Sequence, residues 1–185
     1  MTTPTTPTDP SPARVDPPLS GSEAETLLGF LEFHRATLLT KCGGLTDEQL
    51  RQTLPPSTIT LGGLLKHLAL VEDNWTSEVL LGSDALEPWA SVDWSADRDW
   101  EWNSAAQDTG AELLALYATS VERSRRIVDD ALASGGLDQL SVRESRHHGG
   151  RFSLRWILVH LVEEYARHNG HADLVRESID GSTGE

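Results

Sequence analysis

The chain has 185 residues, 38% of them hydrophobic, and a formal net charge of −14. That length fits one domain with a substantial core, and the negative balance argues against nucleic acid or an anionic membrane as partner. Cys42 is the single cysteine, which excludes a disulfide framework, and no apolar run is long enough to span a bilayer.

Residues 1–20 are rich in Thr, Pro and Ser and read as a flexible tail, leaving one domain over residues 21–185. The tail lacks the apolar centre of a secretory signal, so a cytoplasmic location is expected. Ser22 and Glu25 have the spacing of a capping box. Leu27, Leu28, Leu31, Leu38 and Leu39 then repeat at helical spacing, with His34 in the same stripe, until Gly43-Gly44 ends the helix. Thr46 and Gln49 cap a short helix to about Leu54, and Pro55-Pro56 breaks the chain.

A second long helix is predicted from Thr60 to Gly82, with an apolar arc of Leu61, Leu64, Leu68, Val71, Trp75 and Val79. His67 lies beside that arc, over Gly63. Asn74 and Glu78 continue its face. Ser83 to Ser104 is a long connection carrying Trp89, Trp94, Trp100 and Trp102. Connections of that length are functional or disordered as a rule, and four Trp indicate that this one packs onto something.

A third helix is predicted over about Ala105 to Ala133, with Leu113, Leu116, Tyr117, Val121, Ile127, Val128 and Ala131 as its core stripe. Gly135-Gly136 ends it. Ser141 to Arg146 alternates as a short hairpin would, closed at Gly149-Gly150. Ser153 is the N-cap of the fourth helix, LRWILVHLVEEYARHNGHADLV. The expectation is an all-α, antiparallel-type four-helix bundle with a long Trp-rich connection between helices 2 and 3.

The fourth helix carries an anomaly. Leu154, Ile157, Leu161, Tyr165, Ala172 and Val175 share one face, and Glu164 and His168 fall inside it, one turn apart. A carboxylate and an imidazole in a core stripe need compensation. An inward Glu/His pair is one source of metal ligands in helical bundles. With His67 the set is two nitrogens and one oxygen, suited to zinc, nickel, iron or manganese. Three protein ligands leave an open position, as catalytic zinc sites do.

His171 and His160 flank the pair. Each is a fourth ligand or an outer group that orients one, with His171 ranked first. The plain alternatives are a hydrogen-bonded histidine for His67 and an ordinary i,i+4 surface pair for Glu164 and His168. Glu163 reads as a solvated charge, His34 as a satisfied core histidine, and Cys42 as inert. His147 and His148 read as loop residues. Arg143, Arg146 and Arg151 suit an anionic ligand at a cavity mouth, against the more ordinary reading of a charged loop.

Two segments carry a family resemblance: TLGGLLKHLALVEDNW in the second helix and SLRWILVHLVEEYARHNGHADLVRESIDGSTG at the end. From about Leu27 to Gly184 the chain resembles the DinB-like superfamily of four-helix metal proteins, more closely an actinobacterial branch of it. The resemblance implies a divalent metal bound by His67, Glu164 and His168. Many members have a second His at the position of Glu164. The Glu version is similar to that of mycothiol-dependent maleylpyruvate isomerases, where the metal is zinc. Relatives are implied to use mycothiol, bacillithiol or glutathione. Where members have HRGQ this chain has HNGH, so His171 stands in place of a Gln.

The function expected is a divalent-metal-dependent enzyme, zinc favoured, that activates a low-molecular-weight thiol for transfer to, or isomerisation of, a small electrophile. The alternatives are a non-catalytic metal- or small-molecule-binding bundle, and a hydrolase using metal-bound water with Glu78 as base. The partners expected are the small-molecule substrate and, as an option, a second copy in a homodimer.

Overall fold

The structure, a computed structural model, describes residues 14–145 and 149–183. Its helices are α1 (Glu23–Cys42), α2 (Asp47–Leu50), α3 (Leu61–Asp73), α4 (Trp100–Ser104), α5 (Gly110–Gly135) and α6 (Leu154–Asp180). A small antiparallel hairpin, β1 (Leu140–Glu144) with β2 (Arg151–Ser153), precedes α6. The architecture is all-α apart from that hairpin. No helix is long and apolar enough to cross a membrane among the described residues. Arg146, His147 and His148 lie outside them.

Capping chemistry sets most boundaries. Ser22 with Glu25, Thr46 with Gln49 and Thr109 with Glu112 form reciprocal capping boxes on α1, α2 and α5. The hydroxyls of Thr60 and Ser153 accept from the first turns of α3 and α6. Two boundaries differ from the periodicity. The short helix stops at Leu50 rather than near Leu54. The third long helix starts at Gly110 rather than Ala105, because Ala105–Gln107 is a 3-10 turn and the Thr109 box opens a new helix.

The predicted second helix reaches Leu80, but its last seven residues, Asn74–Leu80, are wound as a π-helix. A wider turn rotates the inward face. Thr76, Ser77 and Leu80 are buried there, while Trp75 and Val79, which the α-period puts in the core, are only half-buried. Trp75 instead meets Phe152, Trp156 and His160 through ring contacts of 4.6 to 5.1 Å.

Contacts between the long helices give their directions. Arg35 of α1 meets Glu72 of α3 and Cys42 meets Leu61, so these two run antiparallel. His67 meets His168 and Trp75 meets His160, so α3 and α6 are antiparallel as well. In contrast, α5 runs parallel to α3: Gly62 lies against Leu113, and Asp73 against Ser120 and Arg123. The long connection therefore climbs back along α3 before α5 begins. That is why it is long, and it brings α4 beside His67.

At the N-terminal side, packing begins before residue 21. Arg14 stands 5.5 Å over the Phe33 ring. Pro17 and Pro18 lie so close to Gly29 that an added Cβ would meet Pro18 Cδ at 2.7 Å.

Charge is buried at the centre. The Glu72 carboxylate has no solvent exposure and takes a two-pronged bond from Arg35, Nε to Oε1 at 2.8 Å and Nη2 to Oε2 at 2.6 Å. Arg35 also donates to Ser124 of α5 and to Glu32. Tyr165 of α6 donates to Glu72 Oε1 at 2.7 Å. Its single proton is then committed, so the Tyr117 hydroxyl, 2.9 Å away, donates to Tyr165. Burial, reinforced by Glu72, pushes both phenols upward and keeps them protonated donors. Arg35→Met should leave Glu72 buried without its counter-charge and cost about 3–5 kcal/mol of unfolding free energy. Urea denaturation checks this. The Arg35→Met, Glu72→Leu double variant should regain part of the loss, and a single variant as stable as the parent contradicts it.

Candidate metal centre

The antiparallel crossing of α3 and α6 brings the three candidate ligands together. One donor atom from each of His67, Glu164 and His168 lies within 4.8 Å of the other two. His168 Nε2 is 3.4 Å from Glu164 Oε2, and the two imidazole centroids are 4.8 Å apart. Two ligands on one tetrahedral ion, each about 2.0–2.2 Å from it, stand about 3.3–3.6 Å apart. The Glu164–His168 spacing and the donor chemistry of all three residues thus fit a divalent ion.

Each of the three has a partner on its far side. Glu101 Oε1 is 3.1 Å from His67 Nδ1. His171 Nδ1 is 3.4 Å from His168 Nδ1. If His168 offers Nε2 to an ion, its proton sits on Nδ1 and points at His171, which accepts it. His171 therefore lies behind a candidate ligand, in the place of a group that would orient it. Burial, then the proximity of His168, lowers the His171 pKa and keeps it a neutral acceptor. His160 Nε2 lies 3.5 Å from Glu164 Oε1, opposite the oxygen that faces His168. His160 also contacts Glu163, and these two with Glu164 form a second, more open cluster of possible ligand atoms. The Glu164 carboxyl is held below its usual range, chiefly by the hydrogen bond from His168, against the opposing effect of burial.

Trp102 completes the first wall. Its ring stacks on His67 with centroids 4.5 Å apart and planes 24° from parallel, and it lies 5.9 Å from His168. The rest of the connection is anchored by charge. Trp89, 2% exposed, donates its indole N–H to Asp73 at 2.9 Å. Trp100 lies under the Lys66 ammonium, 4.4 Å away, and Lys66 pairs with Asp108. One turn along α3 from His67, Leu70 and Val71 begin to line a cavity of about 510 Å³, bounded also by Asn74, Glu78, Trp89 and Trp94.

The other candidates fall elsewhere. His34 is half-buried and hydrogen-bonded to Asn169, as a satisfied core histidine. Cys42 is 1% exposed, and burial pushes its thiol up to about 12, which makes it inert. Glu78 lines the cavity but accepts from Arg143, which also donates to the Ser83 carbonyl. Arg151 is exposed, 3.9 Å from Glu144. The sequence did not mark Glu101, and it marked Trp102 only as one of four Trp expected to pack onto something. Nothing in the periodicity ties them to a histidine 34 residues earlier.

The Trp102 ring occupies the space over Gly63, where a Cβ would stand 2.8 Å from its Cε3 and 3.0 Å from Thr60 Oγ1. Gly63→Ala gains about 1 kcal/mol in helix propensity, but overpacking costs about 1–3 kcal/mol. The variant should melt lower than the parent. A raised melting temperature contradicts the tight Trp102 contact.

No curated protein matches the chain. A family model described as mycothiol-S-transferase matches residues 26–181, from the first turn of α1 to the residue after α6. The match spans most of the chain and every residue of the centre described above, and so the chain belongs to the mycothiol-S-transferase family.

Proposed function

We propose that the chain is a metal-dependent thiol transferase acting on mycothiol or a similar low-molecular-weight thiol, with the divalent ion held by His67, Glu164 and His168. The observation that carries this reading is the convergence of two imidazoles and a carboxylate, each with an outer partner, in a chain of this family. Zinc is the favoured ion, and the donor set also suits nickel, iron or manganese. Bound there, the ion would lower the pKa of a thiol offered to its open position.

The chain's own residues supply the rest. Glu164 brings one negative charge that offsets the ion's. Trp102 covers one side of the imidazoles and limits water. The cavity beyond His67, mostly apolar with Trp89 and Trp94 in its wall, would hold the electrophile. In the transfer the thiol loses its proton to solvent, and the sulfur lone pair forms the bond to the electrophilic carbon. The leaving group departs with its bonding pair. No protein thiol is needed, which agrees with the burial of Cys42. A hydrolase would need a base beside the ion, and Glu78, the candidate, is engaged by Arg143.

Two measurements test this. His67→Ala and His168→Ala should each bind zinc worse than the about 10- to 100-fold loss typical of removing an outer partner. They should also lose conjugation of mycothiol to an electrophile, followed by mass spectrometry. Cys42→Ser should keep both. Full zinc content in both histidine variants, or conjugation that survives chelation, contradicts the proposal.

A further inference from the structure

Glu101 is placed at a cost to the fold. Its side chain is 8% exposed. One oxygen faces His67 Nδ1, and the other, Oε2, is buried with no hydrogen-bond partner among the described residues. A buried carboxylate oxygen without a donor forfeits its hydration for nothing. A leucine of similar volume, or a glutamine with one less charge, would fill the same space more favourably. Packing therefore does not account for a glutamate here.

The contact with His67 does. For Nε2 to offer its lone pair to an ion, the imidazole must carry its proton on Nδ1, the nitrogen that meets Glu101. A carboxylate at Nδ1 selects that tautomer, sets the ring's rotation and makes Nε2 a better donor to a cation. The next residue, Trp102, lies flat on the same ring. Two successive residues of α4 thus grip one imidazole, one at its edge and one on its face. Oε2 is enclosed and Oε1 is taken up by His67, which leaves neither oxygen for a substrate. Its effect passes through His67.

We infer that Glu101 is a positioning residue that presents His67 Nε2 to the divalent ion, at the expense of the metal-free fold. The inference rests on the metal reading proposed above. It separates two quantities that a structural residue would move together: zinc affinity and the stability of the metal-free chain.

The test is a zinc titration against a competing chelator, with melting temperatures of the metal-free proteins, on the full chain and on Glu101→Leu, Glu101→Gln and His67→Ala. Glu101→Leu should weaken zinc binding by about 10- to 100-fold and melt no lower than the parent when metal-free. Glu101→Gln should lose less affinity, because its amide oxygen still accepts from Nδ1. If Glu101→Leu binds zinc like the parent while His67→Ala does not, the inference falls and the metal reading stands. If metal-free Glu101→Leu or Glu101→Gln melts well below the parent, the residue is structural and the inference also falls. If the parent itself binds neither zinc nor nickel, iron or manganese, both fall.

Discussion

Glu72 carries its charge where no water reaches it, and the long helices are arranged around that fact. Arg35 reaches it from α1, Tyr165 from α6, and Ser124 of α5 joins through Arg35. A carboxylate so placed tolerates little sliding of any helix, because each displacement leaves a buried group unpaired. The next residue repeats the device outward. Asp73, 2% exposed, collects Trp89 from the connection and Ser120 and Arg123 from α5. Two consecutive acids at the end of α3 thus clamp the bundle on one side and the connection on the other.

The clamp fixes the heights on which the candidate metal centre depends. Tyr165 sits beside Glu164 in the chain and three residues before His168. With Tyr165 pinned to Glu72, the antiparallel crossing sets His168 level with His67, five residues before Glu72. The return of the connection along α3 then adds Glu101 and Trp102 from a separate element. The centre is assembled from α3, α4 and α6, and the neighbouring cavity from α3 and the connection.

Much of this was legible in the sequence, and the failures are physical. The buried set of α6 follows its wheel: Leu154, Ile157, Leu161, Tyr165, Ala172 and Val175 are all in the core. Glu164 and His168 stood out because they are polar residues in that stripe, and the structure brings them to His67. Arg35, among Leu31 and Leu38, and Glu72, after Leu68, carry the same signal but were passed over in the sequence. Opposite charges in two core stripes imply a buried pair, but only if the helices cross there, which periodicity does not reveal. The π-turn escaped because a wheel assumes one pitch, and it moved Trp75 out of the core. The parallel run of α5 escaped because a long connection permits either direction. Glu101 had no local signature, since its meaning comes entirely from His67.

On the proposed reading, the centre keeps a position open for an external sulfur. Titrating a low-molecular-weight thiol into the cobalt-substituted protein, with Cys42→Ser in place to remove the chain's own thiol, tests it most directly. The account predicts a sulfur-to-cobalt charge-transfer band that saturates with the thiol and is absent in His168→Ala. A cobalt spectrum that no thiol perturbs would contradict it.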